Sequence, residues 1–327
     1  MFENKSIISV FIVASLAAAS ASAGIRGSKH DLGAGGTAQA TTGATTEVCV
    51  FCHTPHGATT TAAVPLWNKT LPAATSYTRY STLNTATLDG EEVEVGSVSL
   101  ACLSCHDGSQ AMDTVINAPG SGGFNAAGSE IDPAAIGTMT GTVGAPGAGG
   151  TIPNLESDLS NDHPISIDYA GGACRGTTSD CDPATAASGD ADFLPAQFAS
   201  INTNPQWWVD VPSYATDAAG TVIETGTANV REKTDMILYT RDFSGTDGPS
   251  VECASCHDPH LPDNGGVPRK FLRGNRLQQV DPVGNFDADN DIVCLGCHDK
   301  EGWVGSAHAS SAVANETYTA GAAAQRE

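Results

Sequence analysis

The sequence has few of the residues that build an apolar core or bind nucleic acid. Leu, Ile, Val and Phe make up only 60 of the 327 residues, which is below the roughly 20% at which a highly charged chain is expected to be disordered. Fifteen Lys and Arg stand against 37 Asp and Glu, so the formal net charge is −22. A chain this acidic is a poor nucleic-acid ligand, because neutralising phosphates requires clustered basic side chains.

Long apolar runs are also missing, since none reaches the roughly 18–20 residues that cross a bilayer. We therefore predict no membrane span. Residues 1–23 have the pattern of a cleaved export signal: Lys5 precedes a mainly apolar stretch at 7–19, and residues 21–23 are the small Ala-Ser-Ala that signal peptidase accepts. The chain is predicted to be exported to the cell surface or extracellular space, with the periplasm as the alternative, and disulfides form in these compartments.

Cysteine and histidine are plentiful instead, with ten and nine residues. Eight of the cysteines fall in four C-x-x-C-H motifs, a pattern that indicates c-type haem attachment through two thioethers and one axial imidazole. A zinc ribbon does not need a His after every second Cys, and a redox-active pair does not need four copies. We therefore predict four covalently attached haems c. The motifs, numbered in chain order, are Cys49, Cys52 and His53 (motif 1), Cys102, Cys105 and His106 (motif 2), Cys253, Cys256 and His257 (motif 3), and Cys294, Cys297 and His298 (motif 4).

The remaining histidines are candidates for the second axial ligand of each iron. They are His30, His56, His163, His260 and His308. Four irons need four distal ligands, so bis-His ligation throughout leaves one His to spare. His56 and His260 each follow a motif His by three residues, too few to reach the opposite porphyrin face, so we expect them to serve a neighbouring haem. We assign His30, His56, His163 and His260 as distal ligands and His308 as the spare, with His308 as the alternative to His30.

The motifs divide the chain into two similar two-haem units, residues 49–117 and 251–300, because motifs 1 and 3 share the extended pattern C-x-x-C-H-x-P-H. An N-terminal arm (24–48) precedes them and a C-terminal tail (301–327) follows. The insertion at 118–250 is predicted to lack an apolar core, with a loop at 118–150, and Cys174 and Cys181 within it are predicted to form a disulfide. Short strands are predicted at 93–100 and 236–240. The predicted fold is mostly coil with few short helices and strands, organised around a chain of four haems.

Several flanking segments extend the haem motifs. They are Lys29-His30-Asp31-Leu32, Cys49-Val-Phe-Cys52-His53-Thr-Pro-His56-Gly57, Pro65-Leu66-Trp67-Asn68, Cys102-Leu-Ser-Cys105-His106-Asp107-Gly108 and Asp162-His163-Pro164-Ile165. With these segments the chain resembles the extracellular tetrahaem c-type cytochromes of the OmcE type, a family of filament-forming cytochromes, over residues 29–298. The resemblance implies a homopolymer with an unbroken chain of haems, a largely coiled fold, and one iron ligated across the subunit boundary, a role that would suit a terminal His such as His30.

The sequence thus favours an electron-transfer protein that acts as a filament subunit over an enzyme. The alternatives are a monomeric periplasmic tetrahaem shuttle and, less favoured, a multihaem reductase of nitrite or hydroxylamine. A reductase needs an open iron position, whereas the distal candidates outnumber the irons. We accordingly expect no catalytic residues. The sequence does not identify the redox donor or acceptor.

Overall fold

The computed structural model describes residues 24–38, 40–120, 122–139, 153–187, 189–211, 214–216, 222–224, 227–232, 235–261, 271–273 and 293–299. The export signal, the C-terminal tail and His308 lie outside these residues. The helices are α1 (Ser97–His106) and α2 (Cys253–Cys256), with 3-10 segments at Ala74–Ser76, Tyr80–Leu83, Tyr169–Gly172 and Val293–Gly296. The strands are β1 (Thr114–Asn117), β2 (Phe124–Glu130), β3 (Ile167–Asp168), β4 (Ala196–Ile201), β5 (Asn204–Val209), β6 (Tyr214–Thr216), β7 (Val222–Glu224), β8 (Met236–Phe243) and β9 (Thr246–Val251).

The main sheet has five antiparallel strands in the order β3-β9-β8-β5-β4, and β1-β2 and β6-β7 form separate two-stranded sheets. Two tight hairpins set the register of the main sheet. Asn202-Thr203 joins β4 to β5 and Ser244-Gly245 joins β8 to β9, and all four residues have positive φ. Two-residue loops with positive φ at both positions match the twist of the strands that they connect. The antiparallel pairing therefore arises locally at each hairpin.

The predicted fold class, mostly coil organised around haems, is wrong, because the described residues form nine strands in antiparallel sheets. The main core lies on this sheet, within the insertion that we predicted to lack one. Its buried members are Ile167, Tyr169, Ala170, Cys174, Cys181, Ala196, Trp207, Val209, Met236, Leu238 and Val251. Only four of these eleven are Leu, Ile, Val or Phe. The count of those four types underestimated the core because Trp, Tyr, Met, Ala and cystine supply most of it.

Four local predictions have mixed outcomes. The strand predicted at 236–240 is confirmed as part of β8, whereas the strand predicted at 93–100 is wrong because α1 begins at Ser97. The loop predicted at 118–150 is interrupted by β2, and residues 140–152 of it lie outside the described part. Cys174 and Cys181 are disulfide-bonded, as predicted. None of the helices that the structure describes is long and apolar enough to cross a bilayer.

Candidate haem-binding sites

Each of the four motifs forms one helical turn of its own. Motif 2 is the last turn of α1 and motif 3 coincides with α2. In the other two motifs the His N–H donates to the carbonyl of the first Cys, at 2.7 Å for His53 and 2.9 Å for His298. Because residues four apart are neighbours on a helical turn, each turn brings the first thiol close to the imidazole.

The thiols of successive motifs are neighbours in space. The Cys102 thiol is hydrogen-bonded to that of Cys253. Cys105 lies close enough to Cys52 to raise the pKa of that thiol, and Cys294 lies close enough to Cys256 to do the same. All eight motif cysteines are free thiols rather than disulfides. The four motifs therefore follow one another in space in the order of the sequence.

Three of the four motif histidines face a second histidine. The ring centroids of His53 and His260 are 6.1 Å apart with an interplanar angle of 25°. Those of His106 and His30 are also 6.1 Å apart, at 81°. His298 and His163 are 6.4 Å apart, at 63°.

These separations fit two imidazoles on opposite sides of one metal ion. A metal–imidazole nitrogen bond is about 2.0 Å long, and the nitrogen lies about 1.1 Å from its ring centroid, so two imidazoles on opposite sides of one ion have centroids about 6.2 Å apart. Direct ring stacking would bring the rings closer, as for His30 and Phe271 at 4.3 Å. Each separation is thus compatible with one metal ion held between the two imidazole nitrogens.

Hydrogen bonds at Nδ1 orient most of these imidazoles. Nδ1 of His53 contacts the Pro65 carbonyl at 2.8 Å, and Nδ1 of His106 contacts the Pro153 carbonyl at 2.9 Å. The distal candidates follow the same pattern. Nδ1 of His163 contacts the Pro164 carbonyl at 2.9 Å, and Nδ1 of His260 contacts Asp258 Oδ1 at 3.1 Å. Such bonds fix the tautomer and leave Nε2 as the ligating atom.

His30 and His106 are held in the neutral form that binds metal. Burial, and after it the neighbouring histidines with His106 first, lower the pKa of His30 to about 4. Burial also lowers the pKa of His106, against the opposing effect of the Pro153 carbonyl. Both imidazoles are therefore uncharged at neutral pH and available as ligands.

The remaining candidates are placed differently. His257 directly follows α2 and forms a β-bridge with Leu272, and it lies close enough to His30 to affect its pKa. His56 is exposed, and within the described residues no ring contact joins it to a motif histidine. It lines a cavity of about 740 Å³ together with Cys49, His53 and Phe124, a volume within the range of ligand pockets. We call this space the motif 1 cavity.

The motif 1 turn is fixed by a buried asparagine. Asn68 is 0% exposed, and its amide nitrogen donates to the carbonyls of Val50 (2.7 Å) and Asn117 (2.9 Å). Its Oδ1 accepts the Asn117 N–H at 2.8 Å. The Asn117 side chain in turn donates to the backbone carbonyl of His56. Asn68 thus joins the turn between the two cysteines of motif 1 to the end of β1.

Motif 4 is held by residues of the insertion. The Tyr169 hydroxyl donates to the Leu194 carbonyl at 2.8 Å and is 3.2 Å from the Cys297 carbonyl. The Leu194 N–H donates to the Cys297 carbonyl at 2.9 Å. The Phe193 ring lies 4.4 Å from that of His298. The segments that follow β3 and precede β4 therefore position a motif that is distant from them in sequence.

Motifs 2 and 3 are joined by a buried carboxylate. Glu252 is 1% exposed and accepts bonds from Ser99 of α1 (2.5 Å) and Arg241 of β8 (2.8 Å). The Cys253 N–H donates to the Ser99 hydroxyl at 3.0 Å. This network fixes the two motif helices against each other and against the sheet.

The sequence reasoning did not identify Asn68, Tyr169, Phe193 or Glu252 as residues that support the motifs. Asn68 belongs to the Pro65–Asn68 segment quoted above, so a local signal for it was present. The sequence around Tyr169, Phe193 and Glu252 contains no such local signal, because these residues contact segments far apart in the chain.

Among the described residues, no three His, Cys, Asp or Glu side chains gather into a metal site made of protein alone. A haem iron takes only two axial ligands from the protein, so paired histidines are the relevant pattern. Comparison of the chain with protein-family models and with curated proteins gave no match.

Proposed function

We propose that this chain is an electron-transfer protein that carries four c-type haems, each attached through one C-x-x-C-H motif. The observation that carries the proposal is the pairing of three motif histidines with second histidines at 6.1–6.4 Å between ring centroids. The Nδ1 contacts, which leave Nε2 for ligation, support the same assignment. When bound, haem supplies one-electron redox chemistry at a potential set by its axial ligands and surroundings.

The residues of the chain attach, orient and connect the proposed sites. The eight free thiols would form the thioethers. His53 with His260, His106 with His30, and His298 with His163 would be axial pairs, and His257 would supply the proximal ligand of the third site. The contact between the Cys102 and Cys253 thiols supports close spacing of the second and third sites. Neighbouring sites along one molecule favour transfer from site to site, and no substrate pocket is required.

We further propose that copies of the chain assemble into a homopolymer in which a ligand crosses the subunit boundary. His30 faces His106 of its own chain, so we assign the crossing ligand to His56 instead. His56 is exposed, and it lines the motif 1 cavity together with Phe124, which is 62% exposed. Exposed apolar groups beside a free ligand favour a protein–protein contact.

The haem proposal is tested on the exported protein by intact mass and by electron paramagnetic resonance. We expect the mass of four covalently bound haems and four low-spin signals. H163A should convert one haem to high spin, because it removes the ligand opposite His298. A mass without haem, or a spectrum unchanged in H163A, would contradict the assignment.

The assembly proposal is tested by cryo-electron microscopy of secreted material and by H56A. We expect filaments in which His56 of one subunit lies against a haem of the next. H56A should abolish filaments and leave the H163A-sensitive signal intact, so each variant is the control for the other. Discrete monomers with every distal ligand from the same chain would instead support the monomeric shuttle.

A further inference from the structure

A lysine beside motif 1 is completely buried. Lys69 is 0% exposed, and its Nζ donates to the backbone carbonyls of Thr114 (2.6 Å), Met112 (3.1 Å) and Ala111 (3.3 Å). An ammonium group has three N–H donors and a neutral amine has two. The three acceptors therefore match the charged form.

The lysine lies next to the turn that carries motif 1. The chain before it runs alongside this turn, since the Thr54 N–H donates to the Leu66 carbonyl at 2.9 Å and the Asn68 N–H to the Cys52 carbonyl at 2.8 Å. The charge of Lys69 reaches the Cys52 thiol, where it opposes the rise in pKa caused by burial. A buried charge is weakly screened, because the surrounding protein has a low effective dielectric constant.

The cations beside motifs 2 and 3 are neutralised by acids. Arg241, beside motifs 2 and 3, is paired with Glu252 at 2.8 Å, and Arg273, beside motif 3, is paired with Asp258 at 3.5 Å. In the described part of the chain, no carboxylate lies within 4.0 Å of Lys69 Nζ. Asp113 is the nearest acid along the bound segment, and its Oδ2 accepts the Asp132 N–H at 2.8 Å. Motif 1 thus has a buried positive charge without a direct counter-ion.

We propose that Lys69 raises the reduction potential of the haem at motif 1 above that of the other three sites. The inference rests on the proposed function. Gain of one electron makes the site more negative by one charge, so a fixed positive charge stabilises the reduced form. The electron comes from a neighbouring site or an added reductant, and no proton transfer is involved. Electrons that enter the chain of sites would then reside longest at motif 1.

The test is a spectroelectrochemical titration of the haem-loaded protein and of K69M, which has a similar length and no charge. In K69M, one of the four midpoint potentials should fall by at least about 59 mV. For a one-electron couple this shift corresponds to a tenfold change in the ratio of reduced to oxidised haem. The control R231M removes an exposed positive charge and should shift every potential by much less, because water screens it. Equal shifts in K69M and R231M, or none in K69M, would overturn the proposal.

The order of reduction in the unaltered protein gives a second test that does not depend on folding of K69M. The haem at motif 1 is identified by nuclear magnetic resonance as the one whose signals change in H260A, since His260 faces His53. It should be the first to be reduced. Reduction of that haem after the others would refute the inference, whereas fewer than four low-spin haems would refute the proposed function itself.

Discussion

Replacing Asn68 with aspartate tests whether one buried amide fixes the motif 1 turn. N68D preserves the shape of the side chain and keeps Oδ1 as an acceptor for the Asn117 N–H. It replaces the donor NH₂ with an oxygen that faces the carbonyls of Val50 and Asn117. Two hydrogen bonds are lost and two carbonyls are left without their donor.

The expected loss of stability follows from the carbonyls of Val50 and Asn117. A buried polar group that loses its partner costs about 1–3 kcal/mol, and two of them give about 2–6 kcal/mol. The Asn117 carbonyl belongs to a half-buried residue and regains part of its bonding from water. We therefore expect N68D to lower the free energy of unfolding by about 2–4 kcal/mol.

Urea unfolding followed by circular dichroism measures this loss, and hydrogen exchange locates it. Exchange should accelerate at the Asn117 and Asn68 amides, which donate to Asn68 Oδ1 and to the Cys52 carbonyl. The matched control is N204D in β5, an exposed asparagine, where the change should stay within about 0.5 kcal/mol. If N68D were no more destabilising than N204D, the role assigned to Asn68 would be wrong.

Three further predictions concern the sheet and the motifs that it holds. Replacing Cys174 and Cys181 together with Ser should cost about 2.5 kcal/mol in thermal unfolding, because the disulfide closes a short loop. Y169F should cost about 1–2 kcal/mol and speed hydrogen exchange around motif 4, since its hydroxyl bonds the Leu194 carbonyl; uniform exchange throughout the chain would argue against this local role. Burial raises the pKa of Glu252 above 4.5, although Ser99 and Arg241 lower it. Between the unfolded and the raised native pKa, the native state binds more protons at Glu252 than the unfolded state does. The free energy of unfolding should therefore fall as the pH rises above 4.5. Urea unfolding of E252Q across the same pH range should not show this fall.

The core shows why part of the fold could not be predicted from composition. Trp207, Met236 and the Cys174–Cys181 disulfide lie in the core of the main sheet, yet none of these residues belongs to the types used to judge whether a core exists. The strand around Met236 was predictable because its apolar pattern is local. The partners of that strand, β5 and β9, were not, since strand pairing depends on contacts between segments far apart in the chain.

The candidate haem-binding sites were also predictable from the sequence only in part. The sequence by itself identified the cysteines and histidines of the four motifs, because C-x-x-C-H needs only one helical turn to bring its groups together. It also determined the disulfide, which closes over a separation of seven residues. Only the tertiary structure decided that His260 faces His53, that His30 faces His106 of the same chain, and that Lys69 is buried against three carbonyls. The physical reason is that ring pairing and burial of charge depend on which distant segments the antiparallel sheets and the motif helices bring together, and no local spacing encodes that.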